Sequence, residues 1–506
     1  MSLRDDEPII PPQPRWRRWI WVGAGVVAVV VVLAVALILV PVLAERADRC
    51  GAGVWHTGEQ GECVGITDGA YVFDDDLAPV ERLIRAENDA IGAEPYVSVV
   101  VMLPMTLHDP DVVTVEWVRH QLQGAHLAQR EANRDDMWFG RSPRIRLLLA
   151  NPGSGLEHWQ TVVDEVQRRR DSEHIVAVTG IGLSFGTAEE AMRAFSGRQM
   201  PVIGSTLTAD NLSEIRGFAR VSPTSAAQAR AAATYLKQRA HTALLVHDSN
   251  PNDLYPRTLA DEFRRSFVDD DHRLVGRPEP YISDADGVES TLHQMMPNVC
   301  QARPEVVYFA GRSRHIATLI TALAERPCPR DPITVVTGDD LAMYGTPSEA
   351  VQVALENNVS VIYTGLAHPE AWQRHPESFN GQSVDHFTRR TSDRRCELCY
   401  RDLFPGEPLD DGFAVISYDA VATAVWGARK MATSEGRPGN LPPGSPVTAP
   451  EILQVLNRMH GEVYVRGASG TISFDERGNP VNKPVPILRL RPGQSAEFVD
   501  LAWPDS

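Results

Sequence analysis

The chain reads as an α/β protein of two lobes, each a doubly wound parallel sheet, preceded by one transmembrane helix. Three observations predict this. Residues 19–44 form one uncharged run, longer than a bilayer core requires. From residue 96, short apolar runs rich in Val and Ile alternate with Gly/Pro/Ser breaks and amphipathic stretches, which is the pattern of βαβ units. That series starts afresh near residue 226, so two lobes follow one another.

A helix rises about 1.5 Å per residue, so the run 19–44 spans a hydrocarbon core of about 30 Å. A cleavable signal would have an apolar stretch of roughly 7–15 residues, shorter than this one. Arg15, Arg17 and Arg18 precede the helix and Arg46 and Arg49 follow it. This bias leaves residues 1–18 as a cytoplasmic tail and puts the main domain outside, in a single-pass protein of the cell membrane. Cys50 is not read as a lipid-attachment site, because Arg46-Ala47-Asp48-Arg49 before it is charged rather than small and apolar.

The formal net charge is −17, and without residues 1–49 the remainder carries 43 basic against 61 acidic groups, a net of −18. Such a surface repels phosphate backbones, which excludes nucleic-acid and anionic-lipid binding as main functions. The six cysteines fall into near pairs, Cys50 with Cys63, Cys300 with Cys328 and Cys396 with Cys399. Outside the cytoplasm, even numbers at such spacing read as disulfides. The last pair also has the spacing of a redox dithiol or half a zinc site, but no second such pair or His cluster accompanies it, so a small structural disulfide is preferred and no metal is expected.

After the anchor, residues 45–93 read as a stalk or collar, with a Gly-rich loop between Cys50 and Cys63 and a helix over 77–91. Strands follow at 96–102, 144–150, 174–179 and 201–204, with helices at 115–133, up to about 170, and 188–195. The second series has a helix at 226–239, strands at 243–247, 306–310 and 333–337, and helices at 258–267 and up to 324. The tail breaks the rhythm with helices at 413–431 and 450–459, then short strands at 470–475 and 485–490 around a turn at 476–480.

Gly182-Leu183-Ser184-Phe185-Gly186 follows the third strand and fits the G-x-S-x-G of a nucleophile elbow. Asp340 with His368, or Asp419 with His460, would complete a Ser-Asp-His order. No HGGG-type oxyanion loop accompanies it, and Gly180 ends the strand early. Read as a dinucleotide fingerprint, the same loop is one residue too long and follows the third strand rather than the first. A reading without bond-making fits better. In an open parallel sheet, ligands sit beyond the carboxyl ends of the strands. There this chain places Gly182 to Ser184, Ser205 to Thr208, and Thr337-Gly338-Asp339-Asp340. Hydroxyl and N–H groups suit a ligand carboxylate, and a carboxylate from the other lobe suits an ammonium. Taken singly, each of these residues could simply cap the next helix.

Gly467-Ala468-Ser469-Gly470-Thr471-Ile472-Ser473-Phe474-Asp475, followed by Pro484-Val485-Pro486-Ile487-Leu488, resembles a C-terminal signature of the type I periplasmic binding proteins, specifically the branched-chain amino acid binding type of ABC transporters. Tyr418-Asp419-Ala420, 201–212, 244–248 and 307–311 are similar too, and the resemblance covers about residues 94–490. It implies a two-lobed fold with three hinge crossings, near 220–222, 363–365 and 485–490. Lobe 1 would comprise 94–221 and return over 364–484, with an insertion at 372–408; lobe 2 would comprise 222–363, and 485–506 would be the last strand and tail. Carried over residue by residue, the resemblance implies ligand binding by Gly182, Ser184, Thr206, Thr208 and Asp340. Tyr255 is a sixth expected ligand residue, in Asn252-Asp253-Leu254-Tyr255-Pro256, where the family has Asp-x-Tyr-Gly. The family normally has no spanning anchor, no collar and no such insertion.

The resulting expectation is a membrane-anchored, non-enzymatic solute-binding protein that needs no cofactor. It would hold an amino-acid-like small molecule for an ABC permease. The alternatives are a membrane sensor or scaffold binding a partner protein, and a serine hydrolase using Ser184.

Overall fold

Residues 49–504 are described by the computed structural model, apart from 60, 109–112, 329–331, 345–346, 390–395, 434–445 and 493–495; Trp16 and Leu33 are described in isolation. The helix expected over 19–44 and the tail 1–18 otherwise lie outside the described residues. Among the described residues no helix is long and apolar enough to cross a membrane.

The β-branched runs at 96–102, 144–150, 174–179 and 201–204 form strands where the pattern predicts them, and four further strands join them. The first sheet holds β1 (Arg49–Gly51), β2 (Val54–Thr57), β3 (Glu62–Thr67), β4 (Tyr96–Met102), β5 (Arg144–Asn151), β6 (Ile175–Gly180), β7 (Val202–Gly204) and β8 (Phe218–Arg220). Their spatial order is β1-β2-β3-β5-β4-β6-β7-β8. Strands β4 to β8 are parallel. β4 alternates buried residues to both sides: Val97, Val99 and Val101 enter one apolar core, Val100 and Met102 the other. A sheet covered on both faces reads as a nearly continuous apolar run, as this one does.

The segment 45–93 departs from the expected collar. From Arg49 it is built into the first lobe: β3 pairs antiparallel with β5, Thr67 opposite Leu149 and Gly65 opposite Asn151. Val54, Val64 and Ile66 are fully buried. The disulfide Cys50–Cys63 ties β1 to β3. The other two pairs, Cys300–Cys328 and Cys396–Cys399, are also bonded.

The second sheet holds β9 (Thr242–Asp248), β10 (Arg273–Leu274), β11 (Glu279–Tyr281), β12 (Val306–Ala310), β13 (Ile333–Thr337) and β14 (Val359–Thr364). A small ladder, β15 (Val465–Gly467) with β16 (Gly470–Ile472), precedes β17 (Val485–Arg489) and β18 (Glu497–Ala502). The order is β10-β9-β12-β13-β14-β17-β18, with β11 also on β9; β9, β12, β13 and β14 are parallel, and β17 and β18 close the edge antiparallel. The two tail strands expected around the turn at 476–480 therefore do not pair: β16 stays with the first lobe and β17 joins the second. The chain passes between lobes after β8, after β14 and before β17, and Gly365 N donates to Pro486 O at 2.8 Å, so two of these passages are bonded together.

The helices Val115–Arg134 and Phe413–Ala432 pack together in the first-lobe core. At their contact the Tyr418 hydroxyl donates to Glu131 Oε2 at 2.6 Å. Burial, the largest influence, pushes the Glu131 carboxyl from 4.5 up to about 8, so it is mostly protonated at neutral pH. The folded state thus holds this proton more tightly than the unfolded chain. Its stabilisation is full below about pH 4.5 and is lost as pH rises through about 8, at roughly 1.36 kcal/mol per unit. Glu131→Gln keeps an acceptor for Tyr418 and removes the titration. The variant is expected to melt higher than wild type at about pH 9 but not at about pH 5; an equal difference at both values would contradict the assignment.

Candidate functional site

The carboxyl ends of both parallel sheets face one another across the interlobe cleft, and the loops there carry the polar groups. After β6 the backbone turns through Gly180 (φ 90°), Ile181 (φ 67°) and Gly182 (φ 69°). Glycine suits such a turn, but a β-branched residue in it costs on the order of 1–3 kcal/mol. Ile181 is held there by its N–H donating to Met102 O at 2.7 Å. Strain of this kind gathers at functional loops.

The turn presents Ser184. Its Oγ accepts from the N–H groups of Thr208 at 3.1 Å and Ala209 at 3.2 Å. Thr206 Oγ1 donates to Gly182 O at 2.9 Å, and the Ser225 hydroxyl lies 3.2 Å from Thr208 Oγ1. The loops after β6 and β7 therefore brace each other. Ser184, Thr206 and Thr208 line the cleft, whereas Gly182 stands behind them and positions the loop.

On the second lobe, Asp339 and Asp340 open the short helix that follows β13. A Cβ on Gly338 would lie 2.1 Å from the Tyr255 hydroxyl, so only glycine allows this approach. Tyr255 Oη in turn accepts from Asp340 N at 3.2 Å. The loop after β12 brings in Arg312. Its Nε and Nη2 donate to the two oxygens of Asp253, each at 2.7 Å, and its Nη1 donates to Asp340 Oδ1 at 2.9 Å. The second Asp340 oxygen accepts from Ser313 N. The guanidinium lies 4.5 Å from the Tyr255 ring centre and 4.8 Å from that of Phe185, which belongs to the other lobe. Burial opposes its charge, but Asp253 and Asp340 together hold it firmly protonated, well above its ordinary value. A backbone bridge between Phe185 and Asp253 also joins the lobes.

Asp339 differs from its neighbour. Burial first, then the charge of Asp340, push its carboxyl up to about 6. Its Oδ1 is buried without a hydrogen-bond partner, and so is Trp117 Nε1 on the first lobe. Both residues line the same chamber as Ser184, Thr206, Thr208, Tyr255, Arg312 and Asp340. The closed lobes leave it about 10 Å³, enough for one water-sized group. Trp117, Met343 and Phe413 separate it from an outer chamber of about 430 Å³, also between the lobes. A hollow of about 460 Å³ beside β8 and Leu453 lies away from these strand ends.

Five of the six expected ligand residues thus meet at one place. Trp117, Arg312 and Asp339 were not among them. The usable signal was positional: Arg312 follows the end of β12, and Asp339 adjoins a chosen residue. The hydrolase arrangement is not assembled. Among the described residues no His is bonded to Ser184, and Asp340 pairs with Arg312. His368 bonds Glu370 N and Ala496 O, and His460 bonds Phe474 O and Asn457 O. Two groups with ligand-like spacing, Cys50 with His56 and Cys63, and Cys396 with Cys399 and Asp402, are closed by disulfides and offer no thiolate.

No family model matches the chain, and no curated protein is detectably similar to it. Among solved structures, it is similar to the leucine-binding protein LivK of Thermotoga maritima (18% identity, TM-score 0.58, 81% of this chain and 99% of that one). It is also similar to LivJ of Streptococcus pneumoniae, a branched-chain amino acid transporter substrate-binding protein solved with isoleucine (16%, 0.55, 80% and 99%). A third is a solute-binding protein of an ABC transporter from Rhodopseudomonas palustris, in complex with 3,4-dihydroxybenzoic acid (13%, 0.54, 81% and 97%). At these identities the likeness shows the fold, two lobes of the type I periplasmic binding protein kind.

Proposed function

We propose that this chain, built on the fold of the branched-chain amino acid binding proteins of ABC transporters, is an extracytoplasmic solute-binding protein. In this reading residues 19–44 anchor it in the membrane with its N-terminus inside. It takes a small polar solute, an amino acid or related compound, between its lobes for an ABC permease. The observation that carries the reading is the convergence of Ser184, Thr206, Thr208, Tyr255 and Asp340, from strand ends of both lobes, on one buried chamber. A solute that favours the closed lobes stabilises the protein.

Thermal-shift screening against amino acids, amines, organic acids and sugars tests it. A bound solute at about 100 times its Kd is expected to add about 2.7 kcal/mol of stability. If no compound raises Tm at millimolar concentration, the solute-binding reading falls.

One observation favours a second reading, a sensor or scaffold: Arg312 of the chain itself already pairs with Asp253 and with Asp340, the carboxylate expected to meet a ligand. Capture of a membrane kinase or envelope enzyme, rather than a permease, would support that alternative.

A further inference from the structure

Four charged side chains of the second lobe, Asp253, Asp339, Asp340 and Arg312, meet at the cleft, each more than nine-tenths buried. The residues with which the first lobe lines the chamber carry no charge among them. Three carboxylates therefore face one guanidinium, and each of its nitrogens already donates to Asp253 or Asp340. Both oxygens of Asp340 already accept, one from Arg312 and the other from Ser313 N. Asp339 Oδ1 is the acceptor left unmatched, and Trp117 Nε1, on the opposite lobe, is the unmatched donor.

Resting on the solute-binding reading above, we infer that the cleft selects a small organic monocation, an amine that also carries a neutral acceptor oxygen, over a zwitterionic amino acid. Amino alcohols and amino-acid amides have this chemistry. The ammonium sits on Asp339, and the neutral oxygen takes the Trp117 N–H. A carboxylate in that place meets no cation of its own, since Asp253 and Asp340 already hold Arg312, and the Thr208 and Ala209 N–H groups already serve Ser184. It also adds a negative charge to a buried excess of negative charge, where like charges repel strongly. A monocation reduces that excess. The dimensions agree, because an ammonium head matches the water-sized inner chamber and the body of the ligand extends past Trp117, Met343 and Phe413 into the outer one.

The test uses the full chain and compounds that share one side chain and carry different charges: leucinol, leucinamide, leucine and 4-methylpentanoate, with the phenylalanyl equivalents, titrated by calorimetry. The amino alcohol and amide are expected to bind at least about tenfold more tightly than the amino acid, a difference of about 1.4 kcal/mol, and the acid is not expected to bind. Asp339→Asn, which is isosteric, should weaken leucinol at least about tenfold while leaving the circular dichroism spectrum unchanged. Trp117→Phe should weaken leucinol but not isopentylamine, which lacks the oxygen. Leucine binding as tightly as leucinol, or leucinol affinity unaffected by Asp339→Asn, overturns the inference and leaves solute binding intact. If none of the broad panel binds, both readings fall together.

Discussion

Arg312→Met is expected to destabilise the protein by about 3–5 kcal/mol, the usual cost of breaking a buried ion pair from one side. Arg312 is 2% exposed, and its removal strands two buried carboxylates, Asp253 and Asp340, that have no other cation within bonding distance among the described ion pairs. The variant also loses the contact between guanidinium and Phe185, which spans the lobes. Urea unfolding of wild type and variant measures the deficit. Arg312→Lys should recover only part of it, because an ammonium cannot bridge both oxygens of Asp253 and reach Asp340 as a planar fork does. Combining Arg312→Met with Asp253→Asn and Asp340→Asn should restore much of the loss, since replacing a whole buried pair by neutral groups is far less costly than leaving half of it. A single variant as stable as wild type would show that Arg312 does not stabilise these carboxylates.

The second large effect is expected at Asp419→Ala, again about 3–5 kcal/mol. Asp419 is fully buried on the helix Phe413–Ala432; its oxygens accept from Ala468 N at 2.7 Å, from Ser469 N at 2.9 Å and from the Ser469 hydroxyl. Lys483 donates to that same hydroxyl at 2.6 Å and lies 3.9 Å from Asp419. Burial raises the Asp419 carboxyl and lowers Lys483 to about 8. Without Asp419, Lys483 is a buried cation with no counter-charge, and its folded pKa falls further below the unfolded one. The unfolded state then binds the additional proton, so the deficit should shrink as pH rises from about 6 to about 9. Adding Lys483→Met should relieve it at every pH. A deficit that does not change with pH would point instead to the lost backbone acceptor alone.

The long β-branched strands were legible because burial on both faces demands an unbroken apolar run: 96–102, 306–310 and 333–337 coincide with β4, β12 and β13. β8, Phe-Ala-Arg, offers no β-branched run to read, and β1 to β3 hide in a Gly-rich hairpin whose partner strand, β5, lies far along the chain. The site was half legible for a related reason. Ser184, Thr206, Thr208 and Asp340 are visible as polar residues at strand ends. Which of them retain unmet bonding capacity depends on pairings that a linear pattern does not display. Asp253 and Arg312 are 59 positions apart, and only their meeting shows that Asp340 also accepts from Arg312.

The incorporation of β1 into the first sheet bears on the proposed anchor. If residues 19–44 span the bilayer, only residues 45–48 separate the membrane from Arg49. At no more than about 3.6 Å each, they give a leash of about 15 Å. The Cys50–Cys63 bond prevents β1 from peeling away to lengthen it. The first lobe is then the fixed jaw, held against the headgroups, and opening the cleft is a swing of the second lobe relative to the membrane plane. A protein on so short a leash would search a disc of bilayer rather than a volume, which raises its effective concentration toward a partner in the same membrane.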